Sequence, residues 1–170
     1  MPYPVPIPGS AAARLIEAAT RRFEAEGREQ VNVVEVAREA GVTTGALYHH
    51  FGSKDGLYLV IREEMERRIT ERMEGAAAAL GGEGPAAIQA ALLVAFDAAV
   101  RFGVTRMLSE TVVDPANDVI RLTLRPMVSD EAGAPPVLAA AWRGALGAVA
   151  DGMSADEARR GLIWVLGDRQ

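Results

Sequence analysis

The chain has 170 residues, no cysteine and a formal net charge of −5 at pH 7, with 49% hydrophobic and 24% charged residues. This ordinary globular composition argues against a disordered chain, and the missing cysteines exclude disulfides and thiolate metal sites. No apolar run approaches the roughly 18 residues of a membrane span, and the N-terminus lacks the regions of a signal peptide. The composition therefore predicts a soluble, cytoplasmic protein without a membrane partner.

The chain opens with an arm and a first helix. Residues 1–9 alternate proline and favour an extended, flexible arm that carries neither Arg nor Lys. Ser10 is a good N-cap for a helix that runs to Glu26, and Gly27 ends it.

Two short helices around a glycine turn follow in residues 32–54. Asn32 precedes the first of them as an N-cap, with Glu35 three residues later as an approximate capping box. Gly41 follows the first short helix, at the position where a helix often ends with a left-handed residue. Thr43 or Thr44 can cap the second short helix, at about residues 44–50. This is the helix-turn-helix pattern, whose second helix enters a DNA major groove.

Helical periodicity divides the side chains of these three helices between a core and a solvent-exposed face. The predicted core is Leu15, Ile16, Ala19, Phe23, Val34, Val36, Ala37, Val42, Leu47 and Phe51. The exposed face of the second short helix holds Thr44, Gly45, Tyr48, His49 and His50.

Residues 37–54, AREAGVTTGALYHHFGSK, strongly resemble the DNA-binding signature of TetR-family transcriptional regulators. The resemblance covers roughly residues 10–59. It implies an all-α fold, with a helix-turn-helix domain in residues 1–53 and a helical ligand-binding and dimerisation domain in residues 54–170. It also implies that Tyr48, His50 and Lys54 anchor DNA phosphates, while Thr44, Gly45 and His49 lie nearest the base edges.

Position in the motif adds two further DNA contacts. Thr43, with Thr44, stands at the N-terminus of the recognition helix, where hydroxyl and free N–H groups meet phosphates or bases, and Asn32 caps a helix at the groove edge. Net charge adds little to the predicted DNA affinity, because residues 1–54 contain six basic and six acidic residues. A homodimer on a palindromic operator is therefore expected.

The remaining sequence predicts further helices. A long helix covers residues 54–80, and Pro85 starts another that reaches Phe102 and is apolar nearly all round, as in a buried helix. Within it, Asp97 pairs with Arg101, turns toward solvent or orients a ligand. Residues 104–113 predict a short helix, Asp114-Pro115 starts one that runs to Pro126, and residues 129–136 predict a loop.

The last two helices combine apolar stripes with small residues. Pro135 and Pro136 start a helix that ends at Ala150, and Ser154 with Glu157 forms a capping box for the other. The small-residue faces fit either packing within the chain or a self-complementary four-helix dimer interface, which the resemblance favours. The interface residues predicted are Ala140, Gly144, Gly147, Ala148, Gly161, Leu162 and Val165.

The expected partners are operator DNA, a second copy and a small apolar or amphipathic effector. The residues expected to line the effector site are Phe96, Asp97, Val100, Met107, Leu108, Glu110 and Trp142. No cofactor, metal site or catalytic set is predicted, because the motif uses both histidines and no spaced ligand set exists. Two alternatives remain: a DNA-binding dimer without a small-molecule effector, and a helical carrier or enzyme with a vestigial helix-turn-helix.

Overall fold

The computed structural model describes residues 6–112, 114–128 and 133–167, and in these ranges the chain forms α-helices and short 3₁₀ turns without a strand. The α-helices are α1 (Ala11–Glu26), α2 (Val33–Glu39), α3 (Thr44–Phe51), α4 (Lys54–Ala78), α5 (Pro85–Phe102), α6 (Thr105–Ser109), α7 (Val119–Leu124), α8 (Ala134–Ala150) and α9 (Ala155–Leu166). The all-α prediction is confirmed. Most of the proline-rich arm, residues 1–5, lies outside the described ranges.

The chain divides into two compact units, Met1–Glu64 and Met65–Gln170, so that the division falls within α4. The sequence places the domain boundary after Ser53, at the start of that helix. In the structure Tyr58 belongs to the core of the first unit, because its ring packs edge-on against Phe23 with 5.1 Å between the ring centroids.

The first unit is held together by the apolar faces of α1, α2 and α3. Leu15, Phe23, Val36, Ala37, Leu47 and Phe51 are buried, as the helical periodicity predicts. The prediction for Val34 is wrong, because its side chain is 59% exposed. Val34 lies about 200° around the helix from Val36, so both cannot face α1.

The second unit is organised around α8, which packs against α5, α6, α7 and α9. The capping box predicted for α9 is present, with the Ser154 Oγ accepting from Glu157 N and Glu157 Oε2 accepting from Ser154 N. The carboxylate also accepts from the Ser154 hydroxyl, and these bonds lower the pKa of Glu157.

The segment between α6 and α8 differs from the single helix that the sequence predicts. Asp114 caps a 3₁₀ turn at Pro115–Asn117, Asp118 caps α7, and a second 3₁₀ turn follows at Arg125–Met127. Asp114 and Asp118 each accept a hydrogen bond from the backbone N–H of the residue two positions later. These bonds interrupt the helix that the sequence predicts.

Helix α5 is long and apolar enough to cross a membrane by length and composition alone, contrary to the prediction that no segment is. Its inner face is buried, with Leu92 and Phe96 in the core, and it packs against α8 and α9. A buried core helix has the same length and apolar composition.

Candidate functional site

Helix α3, the predicted recognition helix, presents a polar face to solvent, because two side chains on its other face are buried. Leu47 and Phe51 are buried, whereas Gly45, Tyr48 and His49 are exposed. The Tyr48 side chain is 50% exposed, which leaves its ring and hydroxyl accessible.

Side chains cap both helices of the motif. Thr43 is the N-cap of α3, and its Oγ1 accepts from Ala46 N at 3.2 Å. Asn32 caps α2 by accepting from Val34 N at 2.9 Å. Both caps remain exposed, while Thr44, the first residue of α3, is half-buried.

The predicted capping box at the start of α2 is wrong, because Glu35 pairs with Arg22 instead of with Asn32. Arg22 is the centre of an ion-pair network that joins α1 to α2, with contacts to Glu26 at 2.8 Å and Glu39 at 2.9 Å. Arg21 also contacts Glu39, at 2.8 Å. Hydrogen bonds from Arg21 and Arg22 lower the pKa of Glu39, and the bond to Glu39 raises the pKa of Arg22.

Lys54 has a structural role that sequence reasoning missed. Its ammonium donates to Glu29 O at 3.0 Å and to Val31 O at 3.3 Å, both in the connection between α1 and α2. From the same connection Arg28 reaches back to Asp55 at 3.0 Å, and its guanidinium lies 4.9 Å from the centre of the Tyr58 ring. Lys54 and Arg28 therefore tie this connection to the start of α4.

His49 and His50 have ring centroids 5.4 Å apart in an edge-on arrangement, with His49 exposed and His50 half-buried. Among the residues that the structure describes, no group of three or more His, Cys, Asp or Glu side chains could hold a metal ion.

Gly56 is a second feature that sequence reasoning missed. A Cβ atom at this position would lie 2.1 Å from the carbonyl oxygen of Phe51, the last residue of α3. Only glycine lets the first turn of α4 approach the end of the recognition helix this closely. The signal was a glycine within the first turn of a predicted helix, where its low helical propensity needs a reason.

The residues expected to line an effector site fall into two groups. Phe96, Met107, Leu108 and Trp142 are buried, whereas Asp97, Val100 and Glu110 are partly exposed. One alternative for Asp97, the pair with Arg101, is wrong. Asp97 pairs with Arg159 at 2.9 Å and so links α5 to α9.

A buried ion pair in the second unit was not predicted. Arg143 Nη1 and Nη2 donate to the two carboxylate oxygens of Asp118 at 2.8 and 2.7 Å, and the two side chains are only about a tenth exposed. Burial acts to raise the pKa of Asp118, but bonds from Arg143 and from backbone N–H groups of α7 outweigh it and lower that pKa.

The residues predicted for a dimer interface differ in their exposure to solvent. Ala140, Gly144, Gly161 and Val165 are exposed, and Gly147 and Ala148 are half-buried. Leu162 is a correction, because it is 2% exposed and belongs to the core of the chain. Trp164 and Val137, which the sequence analysis does not single out, are 84% and 68% exposed.

Comparison with known proteins gives a family match for the first part of the chain. Residues 15–61 match the family model described as bacterial regulatory proteins, tetR family. This segment contains the recognition helix, Lys54 and Gly56.

Curated relatives match over a little more than a third of the chain. The HTH-type transcriptional regulator HbdR of Aromatoleum sp. (strain CIB) is 36% identical over 66 residues, which cover 36% of this chain and 29% of that protein. The HTH-type transcriptional repressor AcnR of Corynebacterium glutamicum is 33% identical over 64 residues, 38% of this chain and 34% of that protein. The matched segment thus spans about a third of these relatives' length.

A solved structure is similar over nearly the whole chain. A TetR-family transcriptional regulator from Streptomyces coelicolor superimposes with a TM-score of 0.59 and 26% identity, covering 92% of this chain and 94% of that one. The likeness therefore extends through the second unit, beyond the segment that the curated relatives match.

Proposed function

We propose that the chain is a TetR-family regulator and acts as a sequence-specific DNA-binding repressor, which the match of residues 15–61 to that family's model and the similar curated regulators support. It acts in the cytoplasm as a homodimer on a palindromic operator, without catalytic activity or a cofactor. A small apolar or amphipathic effector, bound in the region from residue 54 to the end, releases it from DNA.

The observation that carries this proposal is the exposed polar face of α3. Its other face is anchored by Leu47 and Phe51, so Gly45, Tyr48 and His49 are held outward on a fixed helix. A helix presented in this way fits a DNA major groove, where side chains read base edges. Thr44, Gly45 and His49 lie nearest the bases in this arrangement.

The phosphate contacts are assigned to Tyr48, His50 and Lys54, with Asn32 and Thr43 at the helix N-termini. The Lys54 ammonium has three N–H donors and gives two of them to backbone carbonyls, so one remains for a phosphate oxygen. Lys54 thus has two roles: it orients the motif, and it contacts the DNA backbone.

Dimerisation is assigned to the exposed apolar side chains of α8 and α9. Val137 and Ala140 lie one turn apart on α8, and Trp164 and Val165 are exposed on α9. Exposed apolar surface of this kind is typical of a protein interface, and the tryptophan is the type of residue that dominates binding energy there. Two copies would present two recognition helices to a two-fold DNA site.

Effector release requires that the ligand favour a dimer geometry that fits the operator poorly. Helix α4 is continuous from Lys54 to Ala78 and therefore carries a displacement along its length. A coupling of about 1–3 kcal/mol between effector and DNA would change operator affinity by about 5–150-fold.

The experiment that tests the DNA-binding proposal is an in-vitro selection of random duplexes by the full chain at near-physiological salt. We expect enrichment of one sequence, and a His49→Ala variant should enrich a different one. A folded protein that enriches no sequence would refute the proposal.

A further inference from the structure

Helix α8 carries two buried N–H groups that find no acceptor among the residues the structure describes: the indole Nε1 of Trp142 and the guanidinium Nε of Arg143. The Trp142 side chain is fully buried. A buried indole N–H normally has a hydrogen-bond partner, because leaving a buried donor unsatisfied is unfavourable. Each of these donors can therefore give a hydrogen bond to a molecule bound beside α8.

The charge at Arg143 restricts what that acceptor can be. Both terminal nitrogens of Arg143 donate to Asp118, at 2.8 and 2.7 Å, so its positive charge already has a buried counter-ion. Asp118 neutralises the charge of Arg143, so the remaining Nε–H is a donor that adds no net positive charge. The indole N–H of Trp142 is likewise an uncharged donor. A carboxylate brought to these donors would be buried without a counter-charge, which is strongly unfavourable, whereas an uncharged oxygen would not be.

The helices that pack against α8 supply mostly apolar side chains. Helices α5, α6, α7 and α9 all pack on it. Their buried large side chains are Leu92, Phe96, Met107, Leu108, Ile120, Leu124 and Leu162. A molecule held among these side chains would bury mostly apolar surface and have few polar atoms to satisfy.

We infer that the effector is an apolar molecule with an uncharged carbonyl oxygen, as in a ketone, an ester or an amide, and that this oxygen accepts a hydrogen bond from Trp142 Nε1. This inference rests on the proposed effector-binding function and names the chemistry of its ligand. Arg143, the next residue of α8, pairs with Asp118 at the N-terminus of α7.

The test uses the full chain and three probes of equal carbon number: 2-octanone, octane and octanoate. The sequence contains two tryptophans, so the ¹⁵N-labelled protein gives two indole N–H signals, and Trp142→Phe identifies that of Trp142. We expect 2-octanone to move the Trp142 indole proton downfield and to protect it from solvent exchange. Calorimetry should show 2-octanone binding about tenfold more tightly than octane or octanoate, with Trp142→Phe abolishing the preference over octane.

An unmoved Trp142 signal at saturating 2-octanone, failure of 2-octanone to bind, or equal affinity for octanoate would each overturn the inference. If Trp142→Phe unfolds, Trp164→Phe, at the exposed tryptophan, identifies the Trp142 signal by elimination. Operator binding is measured separately on protein without a probe. Loss of DNA binding with a normal Trp142 response would refute the proposed function alone, and normal DNA binding with an inert Trp142 would refute the ligand chemistry alone.

Discussion

Gly56 and Gly75 both lie in α4, but their surroundings differ. A Cβ atom at Gly56 would lie 2.1 Å from Phe51 O, whereas a Cβ at Gly75 would meet nothing within 4 Å. The first glycine is fixed by the approach of α4 to the recognition helix, and the second is an ordinary helical glycine. The same substitution at the two positions should therefore have opposite effects.

We expect Gly56→Ala to lower the free energy of unfolding by about 1–3 kcal/mol, the usual range for a forced contact in a packed site. Gly75→Ala should raise it by up to about 1 kcal/mol, because alanine is the better helix former. Urea denaturation of the two variants measures both changes. Equal effects of the two substitutions would show that the approach of Gly56 to Phe51 is not a constraint.

Tyr48 and His49 are adjacent and exposed, but we assign them different contacts with DNA. Tyr48→Phe removes only a hydroxyl that we assign to a phosphate, so it should weaken all duplexes by a similar factor, about three- to tenfold. His49→Ala should change the ranking of duplexes that differ at single base pairs, by about 1–3 kcal/mol at the position read. Anisotropy titrations on a panel of single-base variants measure both effects. An equal loss of affinity for all duplexes in His49→Ala would show that His49 does not read a base.

At the scale of elements, local capping signals predicted helix starts well. Ser10, Asn32, Thr43 and Ser154 each cap the helix that follows, because a cap depends on only a few neighbouring residues. The polar contacts of the site were not predictable in this way. Lys54 with the 27–31 connection and Arg143 with Asp118 join residues 23 to 25 positions apart, and spacing along the sequence carries no signal for such pairs.

The Asp118–Arg143 pair gives α7 its attachment to α8. Asp118→Asn should lower the free energy of unfolding at pH 7 by about 3–5 kcal/mol, because it leaves the buried Arg143 without a counter-charge. The matched change Asp114→Asn, at an exposed cap, should cost about 1 kcal/mol or less.

The effect of Asp118→Asn should depend on pH. The pKa of Asp118 is lower in the folded protein than in the unfolded chain, where it is about 3.9. Its stabilising contribution is therefore present above that unfolded value and is lost as the pH falls through the folded value. Urea denaturation of wild type and variant from pH 7 down to pH 3 should show their difference shrinking at the acid end. A difference independent of pH would show that ionised Asp118 is not the stabilising group.

At the scale of the whole molecule, the exposed Trp164 is the strongest candidate for the centre of the dimer interface. Trp164→Glu should yield monomers in light scattering at micromolar concentration, since it places a charge in an apolar interface. Leu80→Glu, at an apolar side chain that is 53% exposed outside α8 and α9, should leave the dimer intact. A dimer that persists in Trp164→Glu would place the interface elsewhere.

We propose that two copies of the chain read one two-fold DNA site through two recognition helices. The most direct measurement is an anisotropy titration of the selected duplex against the same duplex with one half-site scrambled, at fixed near-physiological salt. We predict at least a hundredfold loss of affinity for the scrambled duplex, because one recognition helix then has only non-specific contacts. Equal affinity for both duplexes would contradict the claim and would mean that a single copy binds the site.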